Sequence, residues 1–313
     1  SYYMVVGSRH ADGSGQILLY SSENLTEWKF ETVLDRCRNR YGKMWECPDF
    51  FPLDDKQVLM VSPQDMQAEG LEFHNGNGTM FLAGTYDREK KEFFREWVQA
   101  VDYGLDFYAP QTLQTEDGRR IMIAWMKSWD NNMFPEGYEW NGMMTIPREL
   151  SLRDGRIYQN PVRELETYRG EKTEHMGFNL DGECWLQGIS GRKLDLTVEL
   201  EPGNYESFQI RLAENDRFYS SVTYRPGQRT LTFDRTYSGY CRDMAATRSI
   251  YAGDGSGKLK LRIILDKYSV EILVNDGQSA LTSLIVTPQE ADGIHFVSEG
   301  EVDFSAYCWE LNL

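Results

Sequence analysis

The chain reads as an all-β protein in two units, and three observations carry that reading. Short runs of β-branched, aromatic and aliphatic residues recur between turn-forming residues. Before residue 160 no segment sustains a 3.6-residue apolar period, so no amphipathic helix is expected there. From Lys193 onward the apolar residues alternate at period two in one short segment after another.

Taken in order, the first unit offers strands at YYMVVGSR (2–9), QILLYSS (16–22) and KQVLMVSP (56–63). NGNGTMFLAGTYD (75–87) and RRIMIAWM (119–126) follow, and RELSLRDGRIYQNPV (148–162) reads as two strands around Asp154–Gly155. Repeated meanders of this kind suggest propeller blades; a sandwich or barrel fits the same pattern. Residues 160–172, NPVRELETYRGEK, are polar and read as a short helical or irregular connector. Seven alternating segments follow, from KLDLTVEL (193–200) to ALTSLIV (280–286), each bounded by Gly, Pro, Asn or Asp. That density of short strands predicts an antiparallel β-sandwich.

Composition narrows the functions. A length of 313 residues fits about two domains. Forty-nine acidic against 33 basic residues give a formal charge of −16, which argues against nucleic acid or an anionic membrane as partner. No apolar run approaches the ~20 residues of a membrane helix. Aromatics make up 13% of the chain, enough to fill the sheets and also to line a site for a flat ligand such as a sugar. The five cysteines are scattered without a C-x-x-C, so neither a disulfide framework nor a zinc site is expected, and a reducing, cytoplasmic compartment is mildly preferred. Secretion stays open, because the chain opens inside a strand at SYYMVVGSR and reads as lacking an upstream part. The four histidines are isolated, and no metal site is expected. A homo-oligomer is compatible with everything above.

One carboxylate stands out. Glu46 lies in KMWECPDFFPL (43–53), between Trp45 and Cys47 and shortly before Phe50–Phe51. Desolvation raises a carboxyl pKa, and glycoside hydrolysis needs one carboxyl group held protonated opposite a second one. A dry wall of Trp45, Cys47 and the Phe pair is the expected source of that effect. On spacing alone, a structural carboxylate explains Glu46 as well.

The surrounding motifs decide between them. WECPDFFPL resembles the Glu-Cys-Pro motif of the β-fructosidases, glycoside hydrolase family 32. DYGLDFYAPQTLQTEDGRRIMIAWM (102–126) and WNGMMTIPRELSL (140–152) are similar to further family stretches, as are FDRTYSG and LDKYSVEILVNDG in the second unit. The resemblance covers essentially the whole chain, in order. It implies a five-bladed β-propeller, incomplete here with its first blades missing, followed by a C-terminal β-sandwich. Expected boundaries are 1–162 for the propeller part, 163–174 for a linker and 175–313 for the sandwich. The implied chemistry is retaining hydrolysis of terminal β-fructofuranosyl groups from sucrose, sucrose 6-phosphate or short fructans, without a cofactor. Glu46 is then the acid/base. Cys47, Asp106 and Tyr108 are candidates near the substrate, with Asp106 and Tyr108 orienting Glu46 or the sugar, and Trp140 is a candidate aromatic platform. Asp49, Asp234, Asp266 and Glu271 read as structural. The family's Asn-Asp-Pro-Asn-Gly and Arg-Asp-Pro strings do not occur, so its nucleophile and a third carboxylate are expected upstream of Ser1. Fructosyl transfer uses the same residues, and a non-catalytic sugar-binding protein on the same scaffold fits the missing nucleophile.

Overall fold

A computed structural model describes residues 1–127, 129–130, 133, 139, 141–239 and 245–312. Apart from short 3-10 turns at Arg163–Tyr168 and Pro226–Gln228, the regular structure among the described residues is entirely β. The chain divides into two compact units, one made of residues 1–102, 107–130 and 144–158, the other holding 159–313 together with Tyr103–Asp106.

The first unit is a series of antiparallel meanders. A three-stranded sheet runs β1 (Tyr2–Arg9), β2 (Gly15–Ser22) and β3 (Lys29–Arg36). A four-stranded sheet follows with β4 (Trp45–Leu53), β5 (Lys56–Pro63), β6 (Met80–Asp87) and β7 (Glu92–Ala100). The next holds β8 (Tyr108–Gln114), β9 (Arg120–Trp125), β10 (Arg148–Arg153) and β11 (Arg156–Pro161). Asp154 and Gly155 join the last two with φ of +50° and +71°, as a tight primed hairpin turn requires. The sheets stack as blades do: Phe51, Val58, Met60 and Phe81 of one sheet share a buried cluster with Met122, Ala124, Leu150 and Ile157 of the next. The leading strands β1, β4 and β8 lie side by side, β1 against β4 and β4 against β8.

Outer strands are tied by charge. Lys91, at the head of β7, reaches Glu31 of β3 at 2.7 Å, and Ser21 donates to the same carboxylate. These hydrogen bonds lower the Glu31 pKa from 4.5 to about 2. Because the folded value is the lower one, the clamp's contribution is complete above 4.5 and is lost as pH falls toward about 2. The difference in melting temperature between the parent and Glu31→Gln should therefore shrink steadily on acidification through that window. A constant difference would show that the charge plays no part.

In the second unit β12 (Arg169–Cys184) begins directly after the 3-10 turn, inside the stretch expected to be linker. Then come β13 (Leu194–Leu200), β14 (Ser207–Glu214), β15 (Ser220–Arg225), β16 (Thr230–Asp234), β17 (Thr247–Tyr251), β18 (Leu259–Asp266), β19 (Ser269–Val274), β20 (Ser279–Leu284) and β21 (Gly293–Leu311). The 19-residue β21 serves both layers of the sandwich. Its first part pairs with β14, its last part with β13, and β12 follows it throughout with three register shifts. Phe208, Phe296 and Phe304 meet between the layers, with ring centroids 5.1–6.2 Å apart.

Candidate active site

Glu46 is the second residue of β4 and Tyr108 the first of β8, so adjacent leading strands bring them together at the same end. Tyr108 is 1% exposed. Its hydroxyl lies 2.8 Å from Glu46 Oε2 and 3.0 Å from the Ser62 carbonyl oxygen. Burial, and then the hydrogen bond to Glu46, push the Tyr108 phenol far above its ordinary range, so it keeps its proton. One proton faces two acceptors. When Glu46 is ionised, Tyr108 donates to it. When Glu46 carries a proton, that proton can be given to Tyr108 Oη while the phenol turns to the Ser62 carbonyl. Tyr108 Oη thus stands between two oxygens, Glu46 Oε2 and the Ser62 carbonyl.

The expected dry wall takes a different form. Trp45 is fully buried, donates to the Tyr41 carbonyl and packs over Gly15. Phe51 belongs to the core cluster between sheets, and Phe50 meets Tyr86 and Phe93 edge-on. Cys47 is exposed. The register puts Trp45 and Phe50 on the face opposite Glu46 and Phe51 on the same face but five residues further along, so proximity in sequence does not make these residues a pocket. Glu46 is half-buried, and its partner is a phenol. Partial desolvation and the neighbouring Glu46 charge raise the Cys47 thiol pKa, which keeps it a neutral thiol at neutral pH.

Local backbone aims these groups. Cys47 and Ala109 both adopt positive φ, +48° and +52°, immediately before Pro48 and Pro110. Each marks a bulge, with the register shifting between Glu46 and Asp49 and between Tyr108 and Gln111. Bulges beside active sites re-aim side chains, and a non-glycine residue at positive φ costs about 1–3 kcal/mol. Gly7 of β1 makes the close approach possible: a Cβ there would stand 2.1 Å from the Trp45 carbonyl oxygen.

The remaining candidates divide. Asp106 is fully buried in the second unit, where Arg235 lies 2.5 Å away and the Leu284 amide donates at 2.8 Å. Its carboxylate pairs with Arg235, and the residue that meets Glu46 is Tyr108. Asp49 accepts from Thr112, as a structural carboxylate would. Trp140 lies outside the described residues. Sequence reasoning missed Ser62, Gln111 and Thr112. For Gln111 a signal exists in the repeated form of Glu46-Cys47-Pro48-Asp49 and Tyr108-Ala109-Pro110-Gln111, each a polar or aromatic head, a small residue, a proline and a hydrogen-bonding tail.

Among the described residues no group of three or more His, Cys, Asp or Glu side chains is arranged to hold a metal ion. No helix of the described residues is long and apolar enough to cross a membrane.

Two blade-like sheets, β4–β7 and β8–β11, a β-sandwich, and a carboxylate hydrogen-bonded to a buried phenol define the architecture. The family model for the glycosyl hydrolases family 32 N-terminal domain matches residues 1–161, and that for the family 32 C-terminal domain matches residues 164–310. The chain belongs to glycosyl hydrolase family 32. It is 38% identical to a raffinose invertase of Escherichia coli over 91% of this chain and 59% of that protein. A sucrose-6-phosphate hydrolase of Staphylococcus xylosus is 32% identical over 95% of this chain and 60% of that protein. Among solved structures, a β-fructofuranosidase of Bombyx mori superposes with a TM-score of 0.80 at 28% identity, covering 99% of this chain and 63% of that one. The chain thus spans about three-fifths of the length of these relatives.

Proposed function

We propose that these residues belong to a retaining glycoside hydrolase that removes terminal β-fructofuranosyl groups from sucrose, its 6-phosphate or a short fructan. Glu46 acts first as acid toward the glycosidic oxygen, then as base toward water. No residue of this chain is proposed as the nucleophile. The observation that carries this reading is the Glu46–Tyr108–Ser62 arrangement, in which a buried phenol stands between the carboxylate and a backbone carbonyl. Support for the substrate class comes from the relatives: a raffinose invertase, sucrose-6-phosphate hydrolases, and the Bombyx mori β-fructofuranosidase, a mutant of which was solved in complex with sucrose. Trp140 keeps its proposed role as sugar platform, and Cys47, exposed and next to Glu46 in sequence, keeps its proposed place near the substrate. No cofactor is proposed.

Stereochemistry tests the reading. Incubated with sucrose in aqueous methanol, the full-length protein should release methyl β-fructofuranoside. Methyl α-fructofuranoside as first product would require a single inverting displacement and overturn it. Tyr108→Phe, which removes the shared proton, should lower kcat about tenfold and move the alkaline limb of the kcat–pH profile. Unchanged kinetics and an unchanged profile would show that Ser62 and Tyr108 only pack there.

A further inference from the structure

We infer that the two proline bulges form a clasp, and that Gln111 and Thr112 are positioning residues for Glu46. The inference rests on the acid/base reading of Glu46 and asks what holds that carboxylate in place.

β4 and β8 belong to different sheets, so no ladder of backbone hydrogen bonds fixes one against the other. Side chains supply the connection instead. Gln111 Nε2 donates to the Cys47 carbonyl at 2.9 Å, which grips the positive-φ residue of the first bulge from the second. Thr112 donates twice to Asp49 Oδ2, through its amide at 2.7 Å and its hydroxyl at 2.6 Å. The Ala109 amide donates to Ser62 Oγ at 3.2 Å, tying the second bulge to β5, which pairs with Glu46. Arg120 then approaches Thr112 Oγ1 at 3.4 Å, with its guanidinium over the Phe51 ring at 4.8 Å. The Gln111, Thr112 and Ala109 bonds each join one bulge, or its strand neighbour, to the opposing sheet, and Arg120 supports Thr112 from within its own sheet.

Two strained pre-proline residues, Cys47 held by Gln111 and Ala109 by Ser62, are a means of fixing direction. Isolated, Cys47 would relax toward extended backbone, because a following proline already disfavours helical torsions there. Relaxation would swing Glu46, which is only one residue away, off Tyr108. A displacement of about 1 Å at a reacting group is enough to cost on the order of 10²-fold in rate. Gln111 and Thr112 thus act through the backbone of Glu46, without touching the proton it transfers.

The test uses the full-length protein with Gln111→Met, Thr112→Val, Thr112→Ser and the double variant Gln111→Met/Thr112→Val, assayed on sucrose. Each of the two disruptive single variants should lower kcat about three- to tenfold, the loss expected for one hydrogen bond. KM should stay within about twofold, since binding and transition-state terms separate in this way. Thr112→Ser, which keeps the hydroxyl, should restore the parent kcat. The double variant should depart from the product of the singles, because both bonds hold one element. Lower melting temperatures with kcat, measured well below melting, unchanged in both singles would mean that the bonds only stabilise the fold, and would overturn the inference. A Thr112→Ser variant as slow as Thr112→Val would overturn it as well. Failure here is separable from failure of the acid/base reading, because Glu46→Gln tests the latter alone.

Discussion

Glu46→Gln in the full-length protein is expected to leave the fold intact and lower turnover on sucrose about 10²–10⁴-fold, the range for loss of general acid–base catalysis. The substitution keeps the shape of the side chain. An amide oxygen can still accept from Tyr108, which now sits 2.8 Å from the carboxylate. What disappears is the proton that Glu46 would hand to the leaving oxygen. Melting curves measured beside kcat separate the two effects: the melting temperature should move by no more than a degree or two while kcat collapses. A variant that keeps more than half of the parent kcat would remove Glu46 from the mechanism.

The second large effect is on stability. Asp106→Ala is expected to destabilise the chain by about 3–5 kcal/mol, the cost of leaving one member of a buried ion pair without its partner. Asp106 is 0% exposed and Arg235 3%, and the carboxylate also accepts from the Leu284 amide. Gly104, two residues earlier, passes so close to Thr282 that a Cβ would stand 1.9 Å from its carbonyl oxygen. The stretch 103–106 has little room to adjust. Replacing both partners with Asp106→Leu and Arg235→Met should cost less than the single change, since apolar pairs fill such positions without an orphaned charge. Chemical denaturation reads both. A normal denaturation midpoint for Asp106→Ala, together with a raised KM, would return Asp106 to the sugar-binding role that its motif suggests.

These two residues also mark what the sequence could and could not disclose. Glu46 is legible because a local motif surrounds it, and the hairpin at Asp154–Gly155 is legible because positive φ at both central positions demands such residues. The alternating strands of the second unit are legible from period two alone. Partners distant in sequence are not. Tyr108 stands 62 positions from Glu46, and Arg235 stands 129 positions from Asp106. Nothing in DFYAPQ tells that its aspartate turns one way and its tyrosine another. The aromatic setting of Glu46 misled for a related reason: Trp45 and Phe50 lie on the strand face opposite the carboxylate, and Phe51, on its face, sits five residues further along β4 in the core cluster. The long β21 was hidden because one strand that serves two layers carries two interior faces in succession, which blurs its period.

The central claim is that Glu46 donates and then removes a proton, and chemical rescue tests it most directly. With Glu46→Ala in the full-length protein, an activated fructoside with a good leaving group no longer needs the acid, so the fructosyl-enzyme should form but wait for water without its base. Added azide, a nucleophile that needs no base, should then restore turnover and appear in the product as β-fructofuranosyl azide. If azide neither accelerates the variant nor enters the product, while the same variant stays equally slow on sucrose and on the activated fructoside, Glu46 is not the acid/base.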